Sequence, residues 1–192
     1  MRDSLIEKGL PMFSMNEKVV YPGHGVAQVN RIVEKIIGGK STTLFELKFL
    51  SKDMTILVPT DNARAIGIRK LSSEKSIDDI FLVLSQPVQW AGYHELNATS
   101  WSKRSKQYQF KIRSGDIVEI SKIYRDLQHI GHRKELSFGE RSLLQQTETL
   151  LAQEISMVKN LVEETAIQRL RSLFLLSQNN LNTKAAGART HI

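Results

Sequence analysis

A tryptophan precedes a run of basic residues in the middle of the chain. The segment NATSWSKRSKQYQFKIRSGD spans residues 97–116, and its five cationic side chains lie between Lys103 and Arg113 without an intervening acid. Cationic side chains at the start of a helix contact phosphate groups, and an aromatic residue beside them can enter a DNA groove. The residues that could make these contacts are Trp101, Lys103, Arg104 and Lys106.

Three interpretations of this basic segment stay open on the residues alone. In the first, Trp101 is buried in a helical core, and the cations form a solvated face opposite Tyr108 and Ile112. In the second, the segment binds another protein or an anionic membrane surface. In the third, it binds DNA, where a side chain wedged into the minor groove costs on the order of a few kcal/mol of unstacking that other contacts offset.

The composition favours a polyanionic partner and excludes several kinds of chemistry. The net charge is +7, and residues 101–113 contribute five cations and no acid to it. There is no cysteine, and no phosphate-binding loop, dinucleotide-binding glycine pattern or nucleophile elbow occurs. We therefore predict a non-enzymatic protein with no cofactor and no metal. His129 and His132 are expected to be exposed on a helix rather than to bind a metal.

No apolar run approaches the roughly 18–20 residues that a membrane span requires, so a cytoplasmic location is expected.

The predicted secondary structure changes from strands to helices near residue 70. Before it, short alternating runs separated by glycine-containing turns predict a small, strongly bent antiparallel sheet or barrel. After the linker RKLSSEKS, apolar residues recur at helical spacing. The predicted strands are 18–21, 26–37, 42–50 and 54–59. The predicted helices begin after Ser76, at about Trp101, after Asp116, after Ser137 and at about residue 161.

These patterns predict an α+β chain with two domains. The β domain covers residues 13–70, the helical domain covers residues 76–176, and the polar residues 177–192 are expected to be a disordered tail. Asp78 and Asp79 are expected in the first turn of their helix, where they suit the helix dipole. SFGE at 137–140 has the form of a capping box.

Several ordered pieces of the chain resemble the CarD/CdnL family of bacterial transcription regulators. Each piece is short, but their order and spacing over residues 13–175 are specific. The pieces are VVYPGHGV (19–26), DMTILVPTDNARAIGIR (53–69), SWSKRSK (100–106), SGD (114–116) followed by YRDL (124–127), and LSFGERSLL (136–144).

The resemblance implies a Tudor-like (SH3-like) β domain that docks on the β subunit of RNA polymerase, followed by a compact helical domain. The helical domain is expected to contact promoter DNA at the upstream edge of the melted region. A tryptophan that matches Trp101 would wedge into the minor groove, and the basic residues matching Lys103, Arg104 and Lys106 would hold the phosphates. Lys35 and Leu57 match positions of the polymerase contact.

The chain departs from the family pattern at two places. Some members carry an arginine for the polymerase contact where this chain has Leu57, so a more apolar polymerase-binding face is expected. The segment 87–100 is long for the family and contains Trp90, whose packing against the helices is the favoured interpretation over a DNA contact.

The function that the sequence predicts is stabilisation of the open promoter complex by a monomeric regulator bound to RNA polymerase. One alternative is a DNA-binding protein that acts without polymerase, which would bind duplex DNA tightly by itself. The other is a protein-interaction tether, in which replacement of Trp101 would leave function intact.

Overall fold

The computed structural model describes residues 12–86 and 101–187, and this part of the chain forms two compact units. The first unit contains the chain up to Tyr21 and then Val26–Lys70. The second contains Leu71 onward together with the short segment Pro22–Gly25. The predicted α+β class is confirmed, with antiparallel strands first and helices after them.

The first unit is a five-stranded antiparallel sheet in the order β4-β3-β2-β1-β5. Strand β5, of two residues, pairs with β1 and was not predicted from the sequence. A short 3₁₀ turn (Thr60–Asn62) and helix α1 (Ala63–Ile66) connect β4 to β5. The strands are β1 (Lys18–Tyr21), β2 (Gly25–Ile37), β3 (Lys40–Phe49), β4 (Thr55–Pro59) and β5 (Arg69–Lys70).

The core of this unit follows the alternation seen in the sequence. Phe45, Leu47 and Phe49 point to one face of β3 and are buried, as period-2 geometry requires. Val58 lies opposite Phe45 on β4 and is also buried. Phe13 contacts Phe45, with a ring-centroid distance of 5.6 Å, and adds a residue from before β1 to this core.

The second unit consists of helices, and the first of them begins earlier than predicted. The N-cap is Ser73, whose hydroxyl accepts a hydrogen bond from the Ser76 amide, so Ser76 lies inside the helix. The boundary between the two units lies within the predicted linker, after Lys70, but the ends of that segment belong to strand β5 and to this helix. Asp78 consequently lies beyond the first turn, and it pairs with Lys159 at 2.8 Å. The helices are α2 (Glu74–Ser85), α3 (Trp101–Ser114), α4 (Ile117–Arg133), α5 (Phe138–Lys159) and α6 (Glu163–Gly187).

The predicted caps of α4 and α5 are confirmed. Asp116 accepts hydrogen bonds from the amides of Val118 and Glu119, and this satisfies two otherwise unpaired donors at the start of α4. Ser137 and Glu140 form the reciprocal capping box at the start of α5. Gly115 lies between α3 and α4 with φ of 71°, a conformation that favours glycine and permits the tight connection.

Helix α6 extends eleven residues beyond the predicted boundary at residue 176 and ends at Gly187. The segment 177–187 is helical rather than disordered; it contains no proline, and its first glycine is the last helical residue. Polar residues such as glutamine, asparagine and lysine cost only a fraction of a kcal/mol each in an exposed helix. Residues 188–192, the rest of the predicted tail, lie outside the described residues.

The helices pack around one apolar core. Its fully buried side chains include Ile77, Tyr124, Leu127 and Ile155, which come from α2, α4 and α5. Among the described residues, no helix is both long enough and apolar enough to cross a membrane.

Candidate nucleic-acid and polymerase interfaces

Trp101 is the first residue of α3 and is partly buried rather than fully exposed. Its indole lies against the first turn of α5 at Gly139. A Cβ atom at position 139 would stand 2.8 Å from Cζ2 of Trp101 and 3.3 Å from its Nε1. Only a residue without a side chain leaves room for this contact, so Gly139 provides the space in which the indole is held.

Arg104, one turn after Trp101, points into the helical unit. It shares a helix face with Tyr108 and Ile112, at spacings of four residues, and all three are buried. Its guanidinium donates to Oε1 of Glu140 at 2.7 Å and lies 5.4 Å from the centre of the Trp101 ring. The predicted phosphate contact by Arg104 is therefore not available in this arrangement, and its charge instead faces an acid of α5.

Glu140 connects the starts of α3 and α5. Its Oε2 accepts from the amide and the hydroxyl of Ser137, both at 2.9 Å, while Oε1 receives Arg104. Lys134 Nζ lies 3.7 Å from the same Oε1. Burial acts to raise the pKa of Glu140, but the bonds from Ser137 and the nearby cations outweigh it, so the pKa is lowered and the carboxylate stays ionised.

Lys103 and Lys106 are exposed on the side of α3 away from its buried face. Successive helical residues turn by about 100°, so both lysines lie more than about 120° from Tyr108. Lys111, further along the helix, is paired with Glu119 at 2.7 Å. The first turns of α3 therefore offer two exposed cations beside a partly buried tryptophan, without the third cation expected from Arg104.

The two histidines differ in their surroundings. His129 is buried, which contradicts the expected exposed position, because it lies on the inner face of α4 with Ile130. Burial lowers the pKa of His129, and the charges of Arg133 and His132 act in the same direction. His132 is exposed at the end of α4. The described residues contain no group of three metal-ligating side chains.

The candidate polymerase-binding residues lie on one face of the sheet in the first unit. Lys35 on β2 pairs with Thr42, and Leu57 on β4 pairs with Glu46, so the two positions are about 13 Å apart along β3. Lys35 is exposed, and Leu57 is 42% exposed on a strand that forms the edge of the sheet. Glu46, directly opposite Leu57 on β3, accepts hydrogen bonds from the side chains of Asn30 and Arg31, and these contacts lower its pKa.

Two family models match the chain, one over each unit. The CarD-like/TRCF RID domain matches residues 13–72, and the CarD C-terminal domain matches residues 91–171. The chain belongs to the CarD/CdnL family. The resemblance inferred from the sequence is therefore confirmed. CarD-family proteins are non-enzymatic transcription regulators, and a RID domain is an RNA polymerase-interacting domain.

Similar proteins include a curated protein and a solved structure. A Bacillus subtilis (strain 168) protein with the name "Putative transcription factor YdeB" is 24% identical over 153 residues, which cover 80% of this chain and 96% of that protein. The solution structure of the 72-residue N-terminal domain of Myxococcus xanthus CarD is 28% identical. That match covers 33% of this chain and 84% of the domain, with a TM-score of 0.28.

Sequence reasoning missed the two residues of α5 that hold the predicted wedge. Gly139 and Glu140 were recognised only as parts of a capping box, because the helix-start pattern carries no information on partners distant in sequence. The available signal was the periodicity of Arg104, Tyr108 and Ile112, which places the arginine on the apolar face of its helix. Trp90, in the segment 87–100, lies outside the described residues.

Proposed function

We propose that this CarD-family protein binds the β subunit of RNA polymerase through its β unit and contacts promoter DNA through its helical unit. The DNA contact is at the upstream edge of the melted region, and it stabilises the open complex. The observation that carries the proposal is the position of Trp101, which is held at the start of α3 between Gly139 and Arg104 with Lys103 and Lys106 exposed nearby.

The held position of the indole supports a wedge role. A side chain that unstacks a base step must resist the step's tendency to close, so it acts best when its own conformation is fixed before binding. Packing against Gly139 and the guanidinium of Arg104 restricts the indole in this way. Arg104 has a positioning role in this proposal, and Lys103 and Lys106 supply the phosphate contacts.

The edge position of β4 supports docking through the β unit. An edge strand has unpaired backbone donors and acceptors, which a strand of a partner can use. Leu57 projects from this strand as an exposed apolar side chain, and Lys35 adds a cation on the same face. An exposed apolar side chain on an edge strand fits a protein surface better than it fits DNA.

Two modest contacts on one chain account for the proposed activity. Few phosphate contacts give binding that is weak and steeply salt-dependent at physiological salt. Docking on polymerase raises the effective concentration of DNA at the helical unit. A regulator that binds the open complex better than the closed one shifts that equilibrium by the difference, and about 1.4 kcal/mol corresponds to a tenfold change in population.

We expect Trp101→Ala to remove most of the protein's effect on open-complex lifetime, because the variant loses the contact that distinguishes melted from closed DNA. The measurement is the lifetime of complexes of purified polymerase on a ribosomal-RNA-type promoter, with and without the protein. The wild-type chain should lengthen the lifetime about tenfold, and the variant should approach the value without the protein.

Two controls accompany this measurement. The Trp101 variant must still be retained by immobilised polymerase, while Leu57→Glu, which places a charge on the proposed docking strand, should lose both retention and the lifetime effect. Equal lifetimes for the wild-type chain and Trp101→Ala would contradict the wedge and favour a tethering role.

A further inference from the structure

Phe138 is the most exposed large apolar side chain of the described residues. It is 83% exposed and is the first residue of α5 after the Ser137 cap. The next residue is Gly139, against which the Trp101 indole packs. Burial of this ring against a partner would recover the favourable transfer of the ring out of water, so Phe138 is a candidate contact residue next to the position that holds the indole.

The charged residues near Phe138 in the sequence include more exposed cations than exposed acids. Lys134, four residues before it, has a side chain that is 54% exposed. Arg141, three residues after it, is 61% exposed and lies 3.6 Å from Glu135, an ion pair at the surface that contributes little binding energy. Glu140 carries the other nearby acidic group, but its side chain is only 4% exposed. Glu135 is itself 88% exposed, so the exposed charges here are the two cations Lys134 and Arg141 and one acid.

The buried pair of Arg104 and Glu140 joins this surface to the start of α3. The 2.7 Å contact between the two residues holds the first turns of α3 and α5 side by side. Lys134 also approaches Glu140, so the connection between α4 and α5 contributes to the same region. Phe138 and Trp101 consequently lie at adjacent helix starts, with the exposed Lys103 and Lys106 on α3 and the exposed Arg141 on α5.

We propose that Phe138 is a second DNA-contacting aromatic residue, which enters the minor groove beside Trp101 at the edge of the melted region. This inference rests on the proposed function and extends its DNA contact from α3 to the start of α5. Phenylalanine is one of the apolar side chains that act as wedges in minor grooves, where unstacking is offset by wider contact with bent DNA. Over the two helix starts together, the exposed cations Lys103, Lys106, Lys134 and Arg141 outnumber the exposed acid Glu135, and this excess favours DNA as the partner.

The test measures binding of the full chain to a labelled duplex that contains an unpaired segment, by fluorescence anisotropy at several salt concentrations. Phe138→Ala is expected to weaken binding about tenfold at low salt. The slope of log affinity against log salt should stay unchanged, because an apolar contact releases no counterions. Phe138→Leu should retain most of the affinity, since leucine also serves as a minor-groove wedge.

Val162→Ala is the control. Val162 is also an exposed apolar residue, at 72%, but it follows the far end of α5. A helix of 22 residues is about 33 Å long, so Val162 lies far from Phe138 along α5. The control variant should bind DNA like the wild-type chain.

The outcomes separate this inference from the proposed function. If Trp101→Ala weakens binding and Phe138→Ala does not, the second contact is overturned, and the proposed function stands. If Phe138→Ala weakens binding and Trp101→Ala does not, the inference stands, and the role proposed for Trp101 fails. If Phe138→Ala shortens open-complex lifetime without changing DNA affinity, or if Val162→Ala weakens binding equally, the inference is overturned.

Discussion

Replacing Glu140 with alanine should lower the free energy of unfolding of the helical unit by about 3–5 kcal/mol. The Arg104 side chain is 8% exposed and the Glu140 side chain is 4% exposed. Truncating the acid leaves a charged guanidinium buried without its carboxylate, and it also removes the capping box at the start of α5. The measurement is urea unfolding followed by circular dichroism at 222 nm, which reports on the helices.

Glu140→Gln and a double variant serve as controls for this prediction. Glutamine has one acceptor oxygen, so it can keep either the hydrogen bond from the Ser137 amide or the bond from Arg104, and its cost should be below that of alanine. Combining Arg104→Met with Glu140→Leu removes both buried charges and should recover most of the loss, apart from about 1 kcal/mol for the missing cap. A cost below about 1 kcal/mol for Glu140→Ala would mean that the pair is solvated in solution.

Asp126→Asn should stabilise the helical unit at pH 7.5 by about 1–3 kcal/mol. Burial raises the pKa of Asp126 to about 6, although the charges of Arg125, Lys111 and Arg104 oppose the rise. A carboxyl whose pKa rises from 3.8 to about 6 on folding costs about 3 kcal/mol when it is ionised. The Asp126 side chain is 20% exposed, and solvent screening reduces the cost of its ionisation. The expected stabilisation of the asparagine variant therefore extends down to about 1 kcal/mol.

The stabilisation expected for Asp126→Asn depends on pH. The folded pKa of Asp126 lies above the unfolded value, so the folded state holds the proton more tightly. The contribution of this group to stability therefore falls as the pH rises from 3.8 to about 6 and is constant above that range. The asparagine variant should match the wild-type chain below pH 4 and exceed it at pH 7.5. Asp79→Asn, at an exposed acid of α2, is the matched control and should change stability little at either pH.

The sheet was predictable because apolar residues recur at every second position of β3 and a glycine pair marks the turn before that strand. Phe45, Leu47 and Phe49 recur every second residue, and Gly38-Gly39 marks the turn between β2 and β3. Strand β5 was missed because its two residues carry no periodicity, and it exists only through pairing with β1. Its formation is a tertiary effect that no local pattern encodes.

The helix starts at Asp116 and Ser137 were predictable because a capping side chain acts within three residues of its own position. The start of α2 was misplaced because two serines, Ser73 and Ser76, both fit a cap, and the choice depends on which residues the helix buries. The environment of Arg104 could not be read from the basic run, since its partner lies 36 residues away. The packing of Trp101 could not be read from the sequence either, because its indole lies against Gly139, a residue of another helix.

The long hairpin of β2 and β3 is unevenly protected from solvent. Its inner part includes Val29 and Leu47, which are fully buried, whereas every residue from Glu34 to Ser41 is exposed. In amide hydrogen exchange, the outer end therefore opens by fraying, at a much lower free energy than the inner end, which opens only when the sheet unfolds. Lys35 lies in this fraying segment. A partner that covers Lys35 would slow amide exchange at the tip of the hairpin only. The change would be easy to detect, because these amides exchange fast in the free protein.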